Sequence, residues 1–112
     1  MDLPLQVTFR DMPHSDALEA YIRTKAEKLD TFHRHISSCK VALESPHRHQ
    51  SHGRSYRVRI DMKVPGAELV VGQGKNVEDA YAAVDQAFHD AERLLKTHAS
   101  RLREVRGERT IR

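Results

Sequence analysis

An α+β fold is predicted from this sequence, a two-layer sandwich of order β-α-β-β-β-α with two helices packed on one face of a four-stranded sheet. Three observations predict it. Four short stretches alternate apolar and polar side chains, the period of a strand with one buried face. Two longer stretches repeat apolar residues at helical spacing. Each helix carries a single apolar stripe, so both are expected to bury it against the same sheet.

The elements follow in order. Leu5, Val7 and Phe9 alternate with Gln6, Thr8 and Arg10, giving a first strand that Pro13 ends. Ser15 is placed to cap the next helix, and Asp16 and Glu19 put negative charge in its first turn, where the helix dipole favours it. Leu18, Ile22, Leu29 and Phe32 then recur at helical spacing, flanked by Tyr21 and Ala26, which predicts a helix from about Asp16 to about Phe32. Cys39, Val41 and Leu43 form the second strand, ending at Pro46. The polar stretch 45–55, rich in histidine and arginine, reads as a hairpin connection. Tyr56, Val58, Ile60, Met62 and Val64 make the plainest strand signal, Pro65 and Gly66 a tight turn, and 67–73 a returning fourth strand. Asn76 stands where a cap is wanted before a long helix whose stripe is Val77, Tyr81, Val84, Phe88, Ala91, Leu95 and Leu102. That helix is expected to reach about Arg106, where Gly107 follows, a span of roughly 45 Å.

A chain of 112 residues, 38% of them apolar, suits one modest core. One domain, 1–112, is expected, with its core at 5–103 and a basic helix end and tail at 104–112. No apolar run approaches the roughly 20 residues that cross a bilayer, and the first residues carry no signal core, so a cytoplasmic protein without a membrane partner is expected. Cys39 is the sole cysteine, which excludes a disulfide framework or a zinc ribbon and reads as a buried thiol.

Lysine and arginine number 19 against 16 acids, and they concentrate from Lys96 to the C-terminus. Such a tail is either a solvated helix end or an electrostatic footprint for nucleic acid. On a helical wheel Arg93, Lys96 and Arg103 fall on one outer flank of the second helix and Arg101 on the other. Lys28 borders the apolar stripe of the first helix, and Lys25 lies within its angular range, where it must extend its ammonium outward past the core. Arg57, Arg59 and Lys63 on the wet face of the third strand are read as a guard against sheet aggregation, and Asp85 as a structural partner for a nearby basic or backbone group. Catalysis would need a nucleophile with its base, paired carboxylates in a cleft, or a phosphate-cradling loop. None is present, since Gly72, Gly74 and Lys75 lack the rest of a phosphate-loop pattern, and neither a cofactor nor a small-molecule substrate is expected. His47, His49 and His52, with His33 and His35 before them, raise a metal-binding alternative, but a polar loop fixes no ligand geometry. No metal is therefore assigned, and His47, Arg48, His49, His52 and Arg54 are read as a basic, RNA-facing loop.

The stretch Tyr81, Ala82, Ala83, Val84, Asp85 is similar to the segment that opens the second helix of the ribosome hibernation promoting factor family. Ser15 to Leu18, Lys25 to Leu29, and Val64, Pro65, Gly66 agree with it too, so the chain resembles a short member from about Leu5 to about Arg103. The resemblance implies a non-enzymatic translation inhibitor that occupies the messenger and transfer RNA channel of the small ribosomal subunit, contacting ribosomal RNA as a monomer. It implies RNA contacts at Lys25, Lys28, Arg93, Arg101, Arg103 and His98, to which the wheel adds Lys96. Asp90, Thr97 and Ala99 depart from basic residues common in the family. A general double-stranded RNA-binding module is the alternative, because its strand and helix order after the first strand would look much the same.

Overall fold

Six hydrogen-bonded pairings carry β1 (Leu5–Arg10) alongside β2 (Ser38–Glu44) in parallel, from Leu5 opposite Cys39 to Arg10 opposite Glu44. A parallel pair cannot be joined by a tight turn, and α1 (Asp16–Phe32) supplies the crossover. β3 (Arg57–Val64) returns antiparallel to β2, and β4 (Ala67–Val71) antiparallel to β3, so the sheet is mixed, in the order β1-β2-β3-β4. α2 (Ala80–Thr110) follows. The computed structural model describes residues 3–45, 55–72 and 77–110, with side chains as far as Arg103.

This is the predicted two-layer architecture. One face of the sheet presents Cys39, Val41, Leu43, Val58, Ile60, Met62 and Val64, all buried. Over them lie Leu18, Ile22, Ala26 and Leu29 of α1 and Ala80, Ala83, Val84, Ala87, Phe88, Ala91 and Leu95 of α2. The opposite face is polar, and its cross-strand register sets Lys40 opposite Asp61, Glu44 opposite Arg57 and Lys63 opposite Glu68. Arg57 closes on Glu44 at 3.1 Å. No helix among the described residues is long and apolar enough to cross a membrane.

Local chemistry accounts for the element ends. The Ser15 hydroxyl accepts from the Leu18 amide at 3.2 Å, the expected cap. Gly66 has φ +81° after Pro65, the backbone a type II turn requires at that position. β4 ends at Val71, and Gln73, where the fourth strand is expected to end, lies outside the described residues. Gly72, at φ +90°, comes so close to the Val58 carbonyl that a Cβ would overlap its oxygen.

Four expectations are corrected. α2 starts at Ala80, where Asp79 and not Asn76 is the cap: its carboxylate accepts from the Tyr81 amide at 3.0 Å. Asn76 itself lies outside the described residues. α2 continues through Gly107 to Thr110, since one glycine in a helix costs only about 1 kcal/mol relative to alanine. Tyr56 stands outside β3 and pairs instead with Val77, the two exchanging amide–carbonyl bonds of 2.7 and 2.9 Å. Finally, Phe32, Tyr81 and Leu102, expected in the apolar stripes, are 72%, 40% and 41% exposed. Alanines are the reason. Ala26 in α1 and Ala83 and Ala87 in α2 are buried with the stripes, which leaves Phe32 and Tyr81 at their edges, whereas Leu102 continues the buried face past Leu95, where α2 outruns the sheet.

Candidate nucleic-acid interface

Turning α1 so that Ala26 faces the sheet brings Tyr21, Lys25, Lys28 and Phe32, spaced four, three and four residues apart, onto the flank beside α2. α2 meets this row with Asp85, Phe88, His89 and Glu92. Because Asp85 meets Lys25 while Glu92 lies beside Phe32, the helices run side by side in the same sense. Between them is an open groove of about 490 Å³ with Leu29 and Phe88 in its floor and Lys28 and His89 at its rim.

One end of the groove is closed by a polar cluster. The Tyr21 hydroxyl donates to the Asp85 carboxylate at 2.5 Å, and the Lys25 ammonium reaches the same oxygen at 3.1 Å. That ammonium also lies 5.4 Å from the centroid of the Tyr21 ring, and Tyr81 packs edge-on against Tyr21 at 4.9 Å. The Tyr21 hydrogen bond, followed by Lys25, holds the Asp85 carboxyl below its ordinary range, although partial burial opposes the shift. The hydrogen bond to Asp85 likewise holds the Lys25 ammonium above its ordinary value. Asp85 is therefore the structural partner expected of it. Lys25 is engaged locally, so it clamps α1 to α2 and does not project freely.

The other expected cations divide between paired and unpaired. Lys96 lies 3.9 Å from Glu92, a loose pair one helical turn away. Lys28, Arg93, Arg101 and Arg103 are exposed and form no ion pair among the described residues. Lys28, Arg93, Lys96 and Arg103 border the two-helix surface, whereas Arg101 projects from the opposite flank of α2, as the wheel implied. His98 is half-buried, with Nε2 shielded from solvent. His47, Arg48, His49, His52 and Arg54 lie outside the described residues, as do Gly74, Lys75 and the side chains of 104–112. What brackets the loop is clear: Ser45, fully buried, donates its hydroxyl to the Ser55 carbonyl at 3.1 Å and its amide to the Arg10 carbonyl at 3.2 Å. Among the described residues no group of three histidine, cysteine or acidic side chains is placed to hold a metal ion.

Sequence reasoning missed His89 and Phe32 as parts of this surface. His89 lies seven residues before Lys96, two helical turns away on the same flank, which was the available signal. Phe32 was assigned to the core, and only the rotation imposed by Ala26 places it outside.

Comparison with known proteins adds the following. A curated ribosome hibernation promotion factor from Deinococcus radiodurans is 26% identical over 103 residues, covering 92% of this chain. The chain spans about half (52%) of that relative's length. Two solved structures share the fold. A ribosomal subunit interface protein from Coxiella burnetii superposes with a TM-score of 0.74 at 19% identity, over 88% of this chain and 99% of that one. The N-terminal domain of Thermus thermophilus Protein Y does so with a TM-score of 0.67 at 24% identity, again over 88% and 99%. The family model described as sigma 54 modulation protein / S30EA ribosomal protein matches residues 5–103, and the chain belongs to that family.

Proposed function

We propose that this chain is a ribosome-binding translation inhibitor that acts by occupancy, lying in the messenger and transfer RNA channel of the small ribosomal subunit and contacting ribosomal RNA through the outer surface of its two helices. It is a binding protein and not an enzyme, it works in the cytoplasm as a monomer, and residues 1–112 form one ribosome-binding domain with its core at 5–103. The observation that carries this reading, beside the family itself, is the set of exposed cations that form no ion pair among the described residues, Lys28, Arg93, Arg101 and Arg103, on the two-helix layer. Such groups neutralise phosphates and release counterions on binding. Arginine can in addition fork onto two phosphate oxygens or stack on a base. Lys25 and Lys96, each near a carboxylate, contribute less.

The test is co-sedimentation with purified ribosomes at two salt concentrations, with transfer RNA and plain duplex RNA as competitors. Binding that falls steeply with salt and is displaced by transfer RNA supports channel occupancy. Displacement by duplex RNA alone supports a general double-stranded RNA-binding module instead.

A further inference from the structure

α1 ends on Phe32, which at 72% exposure is the most exposed large apolar residue among those described. It lines the groove of about 490 Å³ between the two helices, a volume within the range of small-ligand sites. Lys28 lies one turn before it on the same flank of α1, and His89 lines the groove from α2; both are exposed. Roughly 16 Å back along α1, Tyr21 and the 40%-exposed Tyr81 form a second aromatic contact on the same surface.

Both acids of the groove already face basic groups. Asp85 holds Lys25, and Glu92 Oε2 lies 3.9 Å from both Lys96 Nζ and His33 Nε2. Lys28 forms no ion pair among the described residues. An aromatic ring, an unpaired ammonium and an accessible imidazole are thus presented together on open surface. A helical peptide would need a row of apolar positions for its own stripe, yet apart from Phe32 the apolar lining is the buried floor of Leu29 and Phe88. An acidic segment would use Lys28 and leave the ring uncovered. A nucleotide serves both, its base covering the ring and its phosphate meeting the ammonium.

We infer that Phe32 is a stacking platform for one unpaired base of RNA, with the adjoining phosphate at Lys28 and the imidazole of His89 as the hydrogen-bonding group for the base edge. The inference rests on the RNA-binding reading above and deepens it by naming the kind of RNA. Every base has a π-face, so stacking on phenylalanine is tolerant of sequence. An imidazole donates or accepts according to its tautomer, which suits a base edge of either kind. Within a duplex the faces of a base are covered by its neighbours, so the platform selects single-stranded or bulged RNA.

The chain has no tryptophan, so Phe32→Trp places a single indole on the platform, at a position exposed enough to leave the fold intact. Its emission should be quenched saturably by hexauridylate, and less so as salt rises. Polyphosphate and polyglutamate, polyanions without bases, should not quench it. In amide chemical-shift titrations of the whole chain, Phe32→Ala should bind hexauridylate about tenfold more weakly than wild type. Phe32→Leu, apolar but without a π-face, should match the alanine variant. Equal quenching by either polyanion, or affinity unchanged in both variants, would overturn the inference. So would an emission shift that grows with protein concentration alone, which means that a second copy covers the ring. Wild-type co-sedimentation with ribosomes but no quenching by hexauridylate sinks the platform and leaves ribosome binding standing. Quenching without co-sedimentation does the reverse.

Discussion

At one end of the helix layer Lys25 gives its ammonium to Asp85, with Tyr21 and Tyr81 closing around the pair; elsewhere on the layer Lys28, Arg93, Arg101 and Arg103 are exposed and form no ion pair among the described residues. The same residue types serve two purposes. Where the two helices touch, charge is spent on holding them together. Along the rest of the layer these cations form no ion pair among the described residues, and their positive potential is directed outward. A lysine in a sequence therefore says little about binding until its neighbours across the fold are known.

The largest effect is expected from Ile22→Ala, which empties a fully buried site beneath the paired end and should cost about 2–5 kcal/mol by thermal or denaturant unfolding. The matching truncation at the far end, Leu102→Ala, should cost less than about 1 kcal/mol because Leu102 is already 41% exposed. Equal losses would show that the overhanging end is part of the core. Next in size, reversing Lys28, Arg93 and Arg101 together to glutamate should weaken ribosome co-sedimentation by about a hundredfold or more. The unfolding midpoint should hardly move, since all three are exposed. Retained co-sedimentation would remove the unpaired end from the interface.

Asp85→Ala should act in the opposite sense. It deletes the shared acceptor of Tyr21 and Lys25, and with half of the Asp85 side chain exposed the loss should be about 1 kcal/mol or less after screening by water. Ribosome binding should be no weaker than wild type, because Lys25 is released. The pH dependence gives the sign independently. The folded-state pKa of Asp85 lies below its ordinary value of 3.8, so its contribution is complete above that value and is lost as pH falls through and below it. The stability difference between wild type and Asp85→Ala should be full near neutrality and shrink as pH drops below 3.8. A constant difference would mean that packing and not charge holds the clamp. The smallest effect concerns the sheet beneath both ends. Burial, aided by Asp61, pushes the Cys39 thiol up to about 12, so native protein should resist iodoacetamide at neutral pH and react only once unfolded.

Much of this was legible in the residues. The alternation of Val58, Ile60, Met62 and Val64 marked β3, Ser15 marked the start of α1, and Pro65 with Gly66 marked the β3–β4 turn, because each acts through its own backbone or nearest neighbours. The cap of α2 was placed three residues early, since Asn76 and Asp79 are both good caps and only packing selects between them. Phe32 was misassigned for a related reason: a helical stripe read from large residues ignores alanine, yet alanine lets a helix approach the sheet most closely. Of the candidate site, the sequence disclosed which cations exist and roughly which flank each occupies. It did not disclose that Lys25 would meet Asp85 across the helix pair, nor that His33 and His98, 65 positions apart, would share a pocket.

The list and order of elements, the sheet's buried and wet faces, and the stock of positive charge are all written in the residues, through short-range periodicity and turn chemistry. Which charges are neutralised, and where imidazoles from different segments converge, emerges only when the helices pack. Those depend on the rotation of each helix about its axis, a property of packing that no local pattern encodes.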